Sequence, residues 1–252
     1  MQLQNKIAVV TGGSSGIGRA AALAFAREGA KVVIADVNIE GSRETVQMIE
    51  SAGGDACFIK CDVSNAGEVE LMVAKTVEMY GSLDCAFNNA GIEGTLASIA
   101  DCSLDIWNRV IGVNLTGVFL CMKYEIEQML KQGGGVIVNN ASILGLVGFS
   151  NASAYTAAKH GVLGLTKVAA LEYASRGIRV NSVCPAFIAT PMLERAGITS
   201  NPEIAATLEK MHAVGRMGRP EEVGNVAVWL CTDAASFVHG HGMLVDGGFV
   251  AQ

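Results

Sequence analysis

The sequence predicts an α/β fold with three layers, in which helices cover both faces of a doubly wound parallel sheet of about seven strands. Short, continuously apolar runs recur along the chain, and such runs are typical of strands buried on both faces. Helical patterns separate these runs, and this alternation indicates a parallel sheet with right-handed crossovers. The chain has 252 residues, half of them hydrophobic, which suits one large domain.

Each strand is predicted from an apolar run of the right length, and each helix from the longer pattern that follows it. The predicted strands are Ile7–Thr11, Lys31–Asp36, Ala56–Cys61, Asp84–Asn88, Val136–Asn140, Ile178–Cys184 and Met243–Val245. The predicted helices are Gly18–Glu28, Glu40–Ala52, Ala66–Tyr80, Leu104–Lys131, Ala152–Ser175 and Glu221–Thr232. Nothing between these elements resembles a linker or a repeat, so residues 1–252 are predicted to form a single domain.

One segment breaks the alternation. Phe187–Gly218 is long, contains Pro191 and Pro202, and connects a strand to a late helix. Connections beyond the carboxyl ends of parallel strands commonly carry binding residues. We therefore expect a substrate lid around residues 187–218.

Composition narrows the possible partners. The net charge is −6 with acids and bases mixed along the chain, so no nucleic-acid partner is expected. No segment approaches the roughly 18 apolar residues of a membrane helix, and the first residues lack the apolar stretch of a signal peptide. We expect a cytoplasmic protein without a membrane partner.

The possible metal ligands and thiols point to no metal site. The seven cysteines form no Cys-x-x-Cys pair, which favours reduced thiols over disulfides or zinc. His239-Gly240-His241 lacks a third ligand, so a structural role is favoured for this pair.

A glycine-rich turn follows the first strand and opens the first helix. Gly12, Gly16 and Gly18 permit a tight turn and let the backbone approach a pyrophosphate, which the helix N-terminus favours. The other predicted contacts in this turn are Ser14, Ser15 and Ile17. The alternative is an ordinary glycine-rich turn between a strand and a helix. It is disfavoured because the next strand ends in an acid.

That acid is Asp36, eighteen residues after Gly18. A carboxylate here can accept hydrogen bonds from both adenosine ribose hydroxyls and would repel a 2′-phosphate. No base is adjacent, since Val37 and Asn38 follow, and Arg19 lies within the first helix. The pattern predicts NAD rather than NADP, with Val37 beside the adenosine.

Two further strand ends carry candidate cofactor contacts. Asp62 and Val63 follow the third strand, where the carboxylate would meet the adenine amino group or simply close a turn. Asn89, Ala90 and Gly91 follow the fourth strand, where small residues and an amide suit close approach of the cofactor but also form ordinary turns.

The predicted chemistry lies in Ser142, Tyr155 and Lys159. Tyr155 and Lys159 are four residues apart, so on a helix the phenol and the ammonium share one face. Ser142 lies thirteen residues before Tyr155 and just after a predicted strand.

Together these motifs resemble the short-chain dehydrogenase/reductase family in its single-domain form, which has a Rossmann-type sheet. The resemblance covers essentially the whole chain. It rests on Thr11-Gly12-x-x-x-Gly16-x-Gly18, Asn88-Asn89-Ala90-Gly91, Asn114, Ser142, Tyr155-x-x-x-Lys159 and Pro185 with Thr190.

The resemblance implies a role for each matched residue. Tyr155 would be the general acid–base, Ser142 would orient the substrate oxygen, and Lys159 would hold the nicotinamide ribose. For Tyr155 to act near neutrality its pKa must fall by about 3, which corresponds to about 4 kcal/mol. The Lys159 ammonium and a positive nicotinamide would be the source of this change. Asn114 would anchor a water that connects Lys159 to solvent. The nicotinamide carboxamide would be held by Thr190 and by the backbone after Pro185, namely Ala186, Phe187 and Ile188. The family usually has Pro-Gly where this chain has Pro185-Ala186.

The resemblance also implies a homotetramer. The helices Leu104–Lys131 and Ala152–Ser175 carry apolar residues on more than one face, which suits elements that cover a sheet and also meet another subunit.

The predicted substrate end is apolar and uncharged, with no Arg or Lys to bind a carboxylate or phosphate. Gly94 leaves space there, Asn151 offers a polar contact, and the predicted walls are Ile143, Leu144, Val147, Phe187, Met192 and Leu193. These residues favour an apolar secondary alcohol or ketone, cyclic or aryl-bearing, and parts of the chain resemble family members that act on cyclic alcohols and diols. A 3-oxoacyl-thioester reductase and a non-catalytic NAD-binding sensor remain open alternatives.

Overall fold

The computed structural model describes residues 1–195, 197–198 and 200–251. Within them, seven parallel strands form one sheet in the order β3-β2-β1-β4-β5-β6-β7. The strands are β1 (Ile7–Thr11), β2 (Lys31–Asp36), β3 (Ala56–Lys60), β4 (Cys85–Asn88), β5 (Gly135–Asn140), β6 (Ile178–Pro185) and β7 (Gly242–Val245). The predicted fold class is confirmed, and each predicted strand agrees with the structure to within one or two residues at its ends.

The strand order reverses between β1 and β4, which pair with each other from Ala8 opposite Cys85 to Val10 opposite Phe87. All strands run in one direction, so their carboxyl ends meet at one edge. In doubly wound sheets the crevice at such a reversal is where ligands bind.

The helices lie in two layers. They are α1 (Gly16–Arg27), α2 (Ile39–Ser51), α3 (Ala66–Tyr80), α4 (Leu104–Ile111), α5 (Gly117–Gln132), α6 (Ser153–Tyr173), α7 (Pro191–Arg195), α8 (Pro202–Lys210) and α9 (Pro220–Cys231). One core cluster joins the sheet to α3, α5 and α6, and the other joins it to α1, α2 and α9.

Alternating side chains of the strands supply the two cores. On β1, Ala8 and Val10 belong to the cluster beneath α1 and α9, whereas Val9 belongs to the cluster beneath α5 and α6. Successive side chains of a strand point to opposite faces, so a strand covered on both sides must be apolar at every position. This requirement explains why the strands read as continuous apolar runs.

The helix predicted over Leu104–Lys131 differs from the structure. It is interrupted by a π-helical segment, Gly112–Thr116, between α4 and α5, where the Gly117 N–H bonds to the Gly112 carbonyl five residues back. Such a turn widens the helix by one residue and frequently occurs at functional sites. The apolar pattern did not reveal it, because one inserted residue shifts the helical period only slightly.

The predicted lid also contains two helices that were not predicted. Within residues 187–218 lie α7 and α8, and each begins at a proline, a residue favoured in the first turn of a helix. Residues 196 and 199 of the predicted lid, and residue 252 of the predicted domain, lie outside the described residues. No helix in the described part of the chain is long and apolar enough to cross a membrane.

The contact between α1 and α9 yields a stability prediction. A Cβ added at Gly224 of α9 would lie 2.9 Å from the backbone nitrogen of Ala21 on α1. Gly224→Ala should therefore force the helices apart and lower the free energy of unfolding by about 1–3 kcal/mol. Urea denaturation would measure this change.

The matched control is Gly67→Ala in the exposed first turn of α3, where the nearest atom to an added Cβ is Asn65 Oδ1 at 3.5 Å. It should be neutral or stabilising by up to about 1 kcal/mol, because alanine favours helices. Equal effects of the two substitutions would contradict close packing between α1 and α9.

Candidate active site

A cleft of about 1200 Å³ lies at the carboxyl ends of the strands. It contains nearly all of the predicted site residues, although they are spread from residue 12 to residue 193 of the chain. Those lining it are Gly12, Ser14, Ser15, Gly16, Ile17, Asp36, Val37, Asp62, Val63, Asn89, Ala90, Gly91, Gly94, Ser142, Ile143, Leu144, Tyr155, Lys159, Pro185, Ala186, Phe187, Ile188, Thr190, Met192 and Leu193. Gly18 and Asn114 lie behind the lining.

The glycine turn after β1 forms the floor at one end of the cleft. Gly12 and Gly16 have φ angles of 67° and 53°, in the left-handed region that favours glycine. Gly18 packs so closely on the turn that an added Cβ would overlap the Gly12 carbonyl oxygen. Gly12 and Gly16 are therefore favoured by their backbone conformation, whereas Gly18 is required because there is no room for a side chain.

The N-terminus of α1 points its free N–H groups toward this end of the cleft. Ser15 is the N-cap residue, but its side chain forms no capping hydrogen bond, and the first turn contains no acid. Unpaired N–H groups and the helix dipole favour an anion at such a position. The turn thus fits the pyrophosphate of a dinucleotide.

Asp36 lies at the end of β2, beside the glycine turn. Its Oδ2 accepts a hydrogen bond from the Ser14 N–H at 3.1 Å, and its Oδ1 accepts one from the Asn38 N–H at 2.9 Å. A carboxylate offers about four acceptor positions, so each oxygen can accept a further bond. The carboxylate is therefore oriented by the protein and still able to bind ribose hydroxyls.

Arg19 is the base nearest to this site in the sequence, and the structure shows that it is engaged elsewhere. Its Nη2 donates to the Ser14 carbonyl at 2.6 Å, to the Gly41 carbonyl at 3.2 Å and to Glu44 Oε2 at 2.8 Å, and its Nε donates to Thr45 Oγ1 at 3.0 Å. A guanidinium held by four acceptors is poorly placed to bind a 2′-phosphate.

Asp62 and Asn89 both combine a structural contact with a place in the cleft. Asp62 Oδ1 accepts bonds from the backbone N–H and the hydroxyl of Ser64, so this carboxylate does close a turn. Asn89 Nδ2 donates to the carbonyls of Thr11 and Gly12, at 3.0 and 3.2 Å. Asn89 thus ties the end of β4 to the glycine turn.

The opposite end of the cleft brings Ser142, Tyr155 and Lys159 together. The Ser142 hydroxyl lies close enough to the Tyr155 phenol to lower its pKa, and Ser142 Oγ accepts the Leu144 N–H at 3.1 Å. The Lys159 Nζ lies 5.4 Å from the centroid of the Tyr155 ring and donates to the Asn140 carbonyl at 2.6 Å. The predicted cluster of phenol, hydroxyl and ammonium is present.

The protein's own groups shift these pKa values in an unexpected direction. Burial raises the pKa of Tyr155 to about 12, and the Glu93 carboxylate adds to the rise, although the Ser142 hydroxyl opposes it. Burial also lowers the pKa of Lys159 to about 8. Lys159 was expected to help lower the pKa of Tyr155. In the structure, however, the ammonium is hydrogen-bonded to the Asn140 carbonyl, and the Ser142 hydroxyl is the group that lowers the pKa of Tyr155.

Asn114 lies in the π-helical segment and is fully buried. Its Oδ1 accepts the Ile92 N–H and its Nδ2 donates to the Ile92 carbonyl, both at 2.8 Å. The amide therefore pins the loop after β4. Its predicted role as a water anchor stays a prediction, and each amide atom retains one further hydrogen-bonding position.

The substrate end differs in part from the predicted walls. Ile143 and Leu144 are buried, and Asn151 lines the cleft with a left-handed φ of 65°. Gly94 lines the cleft, but an added Cβ would lie only 3.0 Å from Val110 Cγ2, so the room left by the missing side chain is filled by Val110. Val147 is not part of the lining.

The substrate end was expected to lack Arg and Lys, but two arginines line the cleft. The charged residues that the prediction omitted are Glu93, Arg109 and Arg195. Arg195 of α7 lies 3.9 Å from Glu93, Nε to Oε1, and both side chains are partly exposed. No sequence pattern identifies these residues, because an exposed charge on a helix or loop looks the same whether it faces solvent or a cleft.

The start of the predicted lid is held against the cofactor end. Thr190 packs beside the glycine turn, with its Cγ2 3.4 Å from the position of a Cβ added at Gly16. The lid base is fixed by the Ala189 N–H bonding to the Gly218 carbonyl and the Gly218 N–H to the Phe187 carbonyl. Phe187 also packs edge-on against Phe149.

Asn140 is the main residue of the site that the sequence analysis missed. Its carbonyl holds Lys159 and its Nδ2 donates to Asn89 Oδ1 at 2.9 Å. A backbone carbonyl leaves no trace in the sequence, although the repeated Asn-Asn at the ends of β4 and β5 was available as a signal.

The remaining candidate ligands lie apart. All seven cysteines are free thiols, as expected. No cluster of three His, Cys, Asp or Glu side chains that could hold a metal occurs in residues 1–195, 197–198 and 200–251.

Comparison with known proteins agrees with this geometry. A family model described as enoyl-(acyl carrier protein) reductase matches residues 12–250. The chain belongs to the short-chain dehydrogenase/reductase family. It is 45% identical to the cyclohexanol dehydrogenase of Acinetobacter sp. (strain SE19), covering 100% of this chain and 97% of that one.

Two other members of the short-chain dehydrogenase/reductase family are similarly close. A 2,5-dichloro-2,5-cyclohexadiene-1,4-diol dehydrogenase of Sphingobium indicum (strain DSM 16412 / CCM 7286 / MTCC 6364 / B90A) is 43% identical over 99% of this chain and 98% of its own. The crystal structure of levodione reductase superimposes with a TM-score of 0.94, at 37% identity over 99% of both chains.

The clamp formed by Asn114 can be tested directly. Asn114→Leu keeps the branched shape of the side chain but leaves the Ile92 N–H and carbonyl without their partner. The free energy of unfolding should fall by about 1–3 kcal/mol, measured by urea denaturation. Asn108→Leu, at an exposed position on α4, is the control and should change it by less than about 0.5 kcal/mol. A harmless Asn114→Leu would show that the clamp is dispensable for stability.

Proposed function

We propose that this protein is an NAD(H)-dependent oxidoreductase that transfers a hydride between nicotinamide and the carbinol or carbonyl carbon of an apolar secondary alcohol or ketone. The observation that carries the proposal is the arrangement of one continuous cleft. Asp36 and the glycine turn lie at one end, and Ser142, Tyr155 and Lys159 lie at the other. Such a cleft fits an extended dinucleotide with its reactive ring beside a proton donor.

Tyr155 is the proposed general acid–base. Its hydroxyl exchanges a proton with the substrate oxygen, which Ser142 holds by a second hydrogen bond. When bound, the nicotinamide accepts or supplies the hydride, and in its oxidised form it brings a positive charge. Such a charge beside the phenol would oppose the effect of burial on the pKa of Tyr155.

Lys159 has a proposed role in binding as well as in electrostatics. Its ammonium has three N–H donors, one of which is held by the Asn140 carbonyl. The other donors can bind ribose hydroxyls and orient the nicotinamide. Thr190 and the backbone of Ala186, Phe187 and Ile188 would hold the carboxamide and so select the face of the ring that reacts.

The preference for NAD over NADP rests on charge. Asp36 is oriented toward the cleft by two backbone N–H groups, and Arg19 is held by four acceptors. A 2′-phosphate would therefore meet a carboxylate without a compensating base.

The proposed substrate class is a cyclic secondary alcohol or the matching ketone. The inner walls at Ile143, Leu144 and Phe187 are apolar and give a ring an environment without unsatisfied polar groups. The names of the relatives from Acinetobacter and Sphingobium support this class. Residues 187–218 would act as the lid that excludes water from the bound substrate.

One alternative has a specific observation in its favour. The family model that matches this chain is described as a reductase of acyl-carrier-protein substrates. A 3-oxoacyl-thioester reductase is one of the alternatives that the sequence leaves open. Asp36 disfavours the NADPH that reductive biosynthesis generally uses. A non-catalytic NAD-binding sensor is the other alternative, and it predicts cofactor binding without turnover.

We also propose that the chain forms a homotetramer. Apolar side chains are exposed on the helices expected to meet other subunits, including Leu104 and Trp107 on α4, Phe119 on α5, and Val168 and Leu171 on α6. Exposed apolar groups on helices of this kind favour association. Light scattering on the eluted protein would give the number of subunits.

The activity is tested with NAD⁺ or NADP⁺ and a panel of cyclic, aryl and aliphatic secondary alcohols, by the absorbance of reduced nicotinamide. We expect turnover with NAD⁺ and cyclic alcohols. Tyr155→Phe should lower kcat by about 10²- to 10⁴-fold, because it removes the proton donor. Tyr173→Phe, near the end of the same helix, is the control and should retain full activity.

The same assay separates the alternatives. Turnover with 3-oxoacyl thioesters and NADPH, without turnover of alcohols, would replace the proposed function by the first alternative. NAD⁺ binding without turnover of any substrate in the panel would support the sensor.

The cofactor preference is tested by Asp36→Asn, which removes the charge and one acceptor. We expect kcat/KM for NAD⁺ to fall about 10- to 100-fold, since a hydrogen bond to a charged group is worth about 1.5–3 kcal/mol. Discrimination against NADP⁺ should decrease as well. The control is Asp55→Asn, at the exposed partner of Lys31. An unchanged ratio of the two kcat/KM values would contradict the role of Asp36.

A further inference from the structure

A buried polar cluster lies behind the active site, between the sheet and the helices α5 and α6. It consists of Asn88 on β4, Asn139 on β5, Glu125 on α5 and Thr166 on α6. Each is at most 2% exposed, and none lines the cleft. Polar groups buried this deeply are costly unless they are hydrogen-bonded, so every donor and acceptor here has to be accounted for.

All the amide and hydroxyl protons of the cluster are in use. Asn88 Nδ2 donates to Glu125 Oε2 at 2.9 Å and to Asn139 Oδ1 at 3.1 Å. Asn139 Nδ2 donates to Thr166 Oγ1 at 2.9 Å and to Met122 Sδ at 3.3 Å. The Thr166 hydroxyl donates to the backbone carbonyl one turn earlier, at 2.8 Å. No side-chain donor of these residues is left over.

Two buried acceptors remain without a partner, namely Asn88 Oδ1 and Glu125 Oε1. They belong to the two side chains that already share one hydrogen bond. An ionised carboxylate has about four acceptor positions, and this one receives a single hydrogen bond and forms no ion pair with any described Lys, Arg or His. An uncompensated buried charge of this kind is strongly unfavourable.

A proton on Oε1 resolves both problems. It makes Glu125 neutral and turns its unpartnered acceptor into a donor, for which Asn88 Oδ1 is the unsatisfied acceptor of the same cluster. A neutral carboxylic acid and a carboxamide can exchange two hydrogen bonds in this way. We propose that Glu125 is protonated in the folded protein and, through Asn88 and Asn139, is a positioning residue for α6 and its active-site side chains.

The connection to the active site runs through two neighbouring residues of β5. Asn139 binds Thr166, while the carbonyl of Asn140 binds the Lys159 ammonium. Thr166 is seven residues after Lys159, so both lie on one face of α6 about two turns apart. The end of β5 thus holds α6 at two points, and loss of one allows the helix carrying Tyr155 and Lys159 to shift.

The electrostatic surroundings agree with a neutral Glu125. Burial raises the pKa of Glu125 to about 7, and the hydrogen bond from Asn88 only partly opposes this rise. The nearby titratable groups are the thiols of Cys121 on α5 and Cys61 after β3, whose pKa values burial also raises. On the α6 side the charged group is Lys159, which is directed to the Asn140 carbonyl. The α3 side contributes apolar side chains to this core.

The protonation state can be read without any turnover, so this test is independent of the proposed function. The infrared spectrum of the protein in D₂O at pH 6 should show the carbonyl band of a neutral carboxyl group. Glu125→Gln should remove the band, whereas Glu127→Gln, at an exposed position on the same helix, should leave it. A spectrum unchanged by Glu125→Gln would overturn the proposal.

The pH dependence of stability gives a second readout. The folded pKa of about 7 lies above the ordinary value of 4.5 expected in the unfolded chain. The stability that the proton confers is therefore fully present below pH 4.5 and is lost as the pH rises through 7. Between these values wild type should lose stability to urea relative to Glu125→Gln. Parallel profiles of the two proteins would overturn a protonated Glu125.

The positioning role is tested by hydrogen exchange and by kinetics. Glu125→Leu should accelerate amide exchange in α6 but not in α9, and Glu125→Gln should do neither. If the proposed activity holds, Glu125→Leu should also lower kcat by roughly tenfold to a hundredfold at nearly unchanged KM for NAD⁺, because a shift of about 1 Å can cost about 100-fold. Unchanged exchange in α6 would overturn this role even if the enzyme proved inactive.

Thr166→Val keeps the test decisive if Glu125→Leu does not fold. It preserves side-chain shape and removes the acceptor for Asn139, together with the hydroxyl bond to the Val162 carbonyl within the same helix. It should reproduce the faster exchange in α6, and normal protection in this variant would contradict the proposed path.

Discussion

The hydrogen bond from the Lys159 ammonium to the Asn140 carbonyl, at 2.6 Å, is the contact on which the active site depends. It fixes α6 to the end of β5 and thereby places Tyr155 beside Ser142. The side chain of Asn140 continues the connection to Asn89, which in turn holds the glycine turn after β1. The end of the cleft that contains Tyr155 and the end that contains the glycine turn are therefore joined by one chain of hydrogen bonds. A displacement of one end would therefore also move the hydrogen-bonded groups at the other end.

The parallel sheet makes this connection possible. Since all carboxyl ends meet at one edge, paired Asn residues at the ends of β4 and β5 lie side by side, with Asn88 opposite Asn139 in register. Successive side chains of a strand point to opposite faces, so neighbouring Asn residues on each strand lie in different environments. Asn88 and Asn139 face the core beneath α5 and α6, whereas Asn89 and Asn140 line the cleft. Asn88 and Asn139 therefore support the site from behind, and Asn89 and Asn140 form part of it.

Electrostatics in the site favours a neutral tyrosine, since burial raises the pKa of Tyr155 and the Glu93 carboxylate adds to this effect. Arg195 of α7 lies 3.9 Å from Glu93, so a positive charge stands beside the carboxylate that acts on Tyr155. Under the proposed function, a positive nicotinamide beside the phenol would oppose the effect of burial and so couple proton transfer to cofactor binding.

Much of this protein follows from its sequence alone. The strands could be predicted because continuous apolar runs have few other uses in a globular protein, and the glycine turn, Asp36 and the Tyr155–Lys159 pair could be predicted because local spacing determines which groups share a turn or a helix face. The tertiary structure decided the rest. Only the structure shows the π-helical turn at Asn114 and the hydrogen bond from the Lys159 ammonium to the Asn140 carbonyl. It also shows that Glu125 is buried and that charged side chains line the cleft, namely Glu93, Arg109 and Arg195. These features depend on contacts between residues far apart in the chain or on backbone groups that every residue carries, and local sequence patterns contain neither.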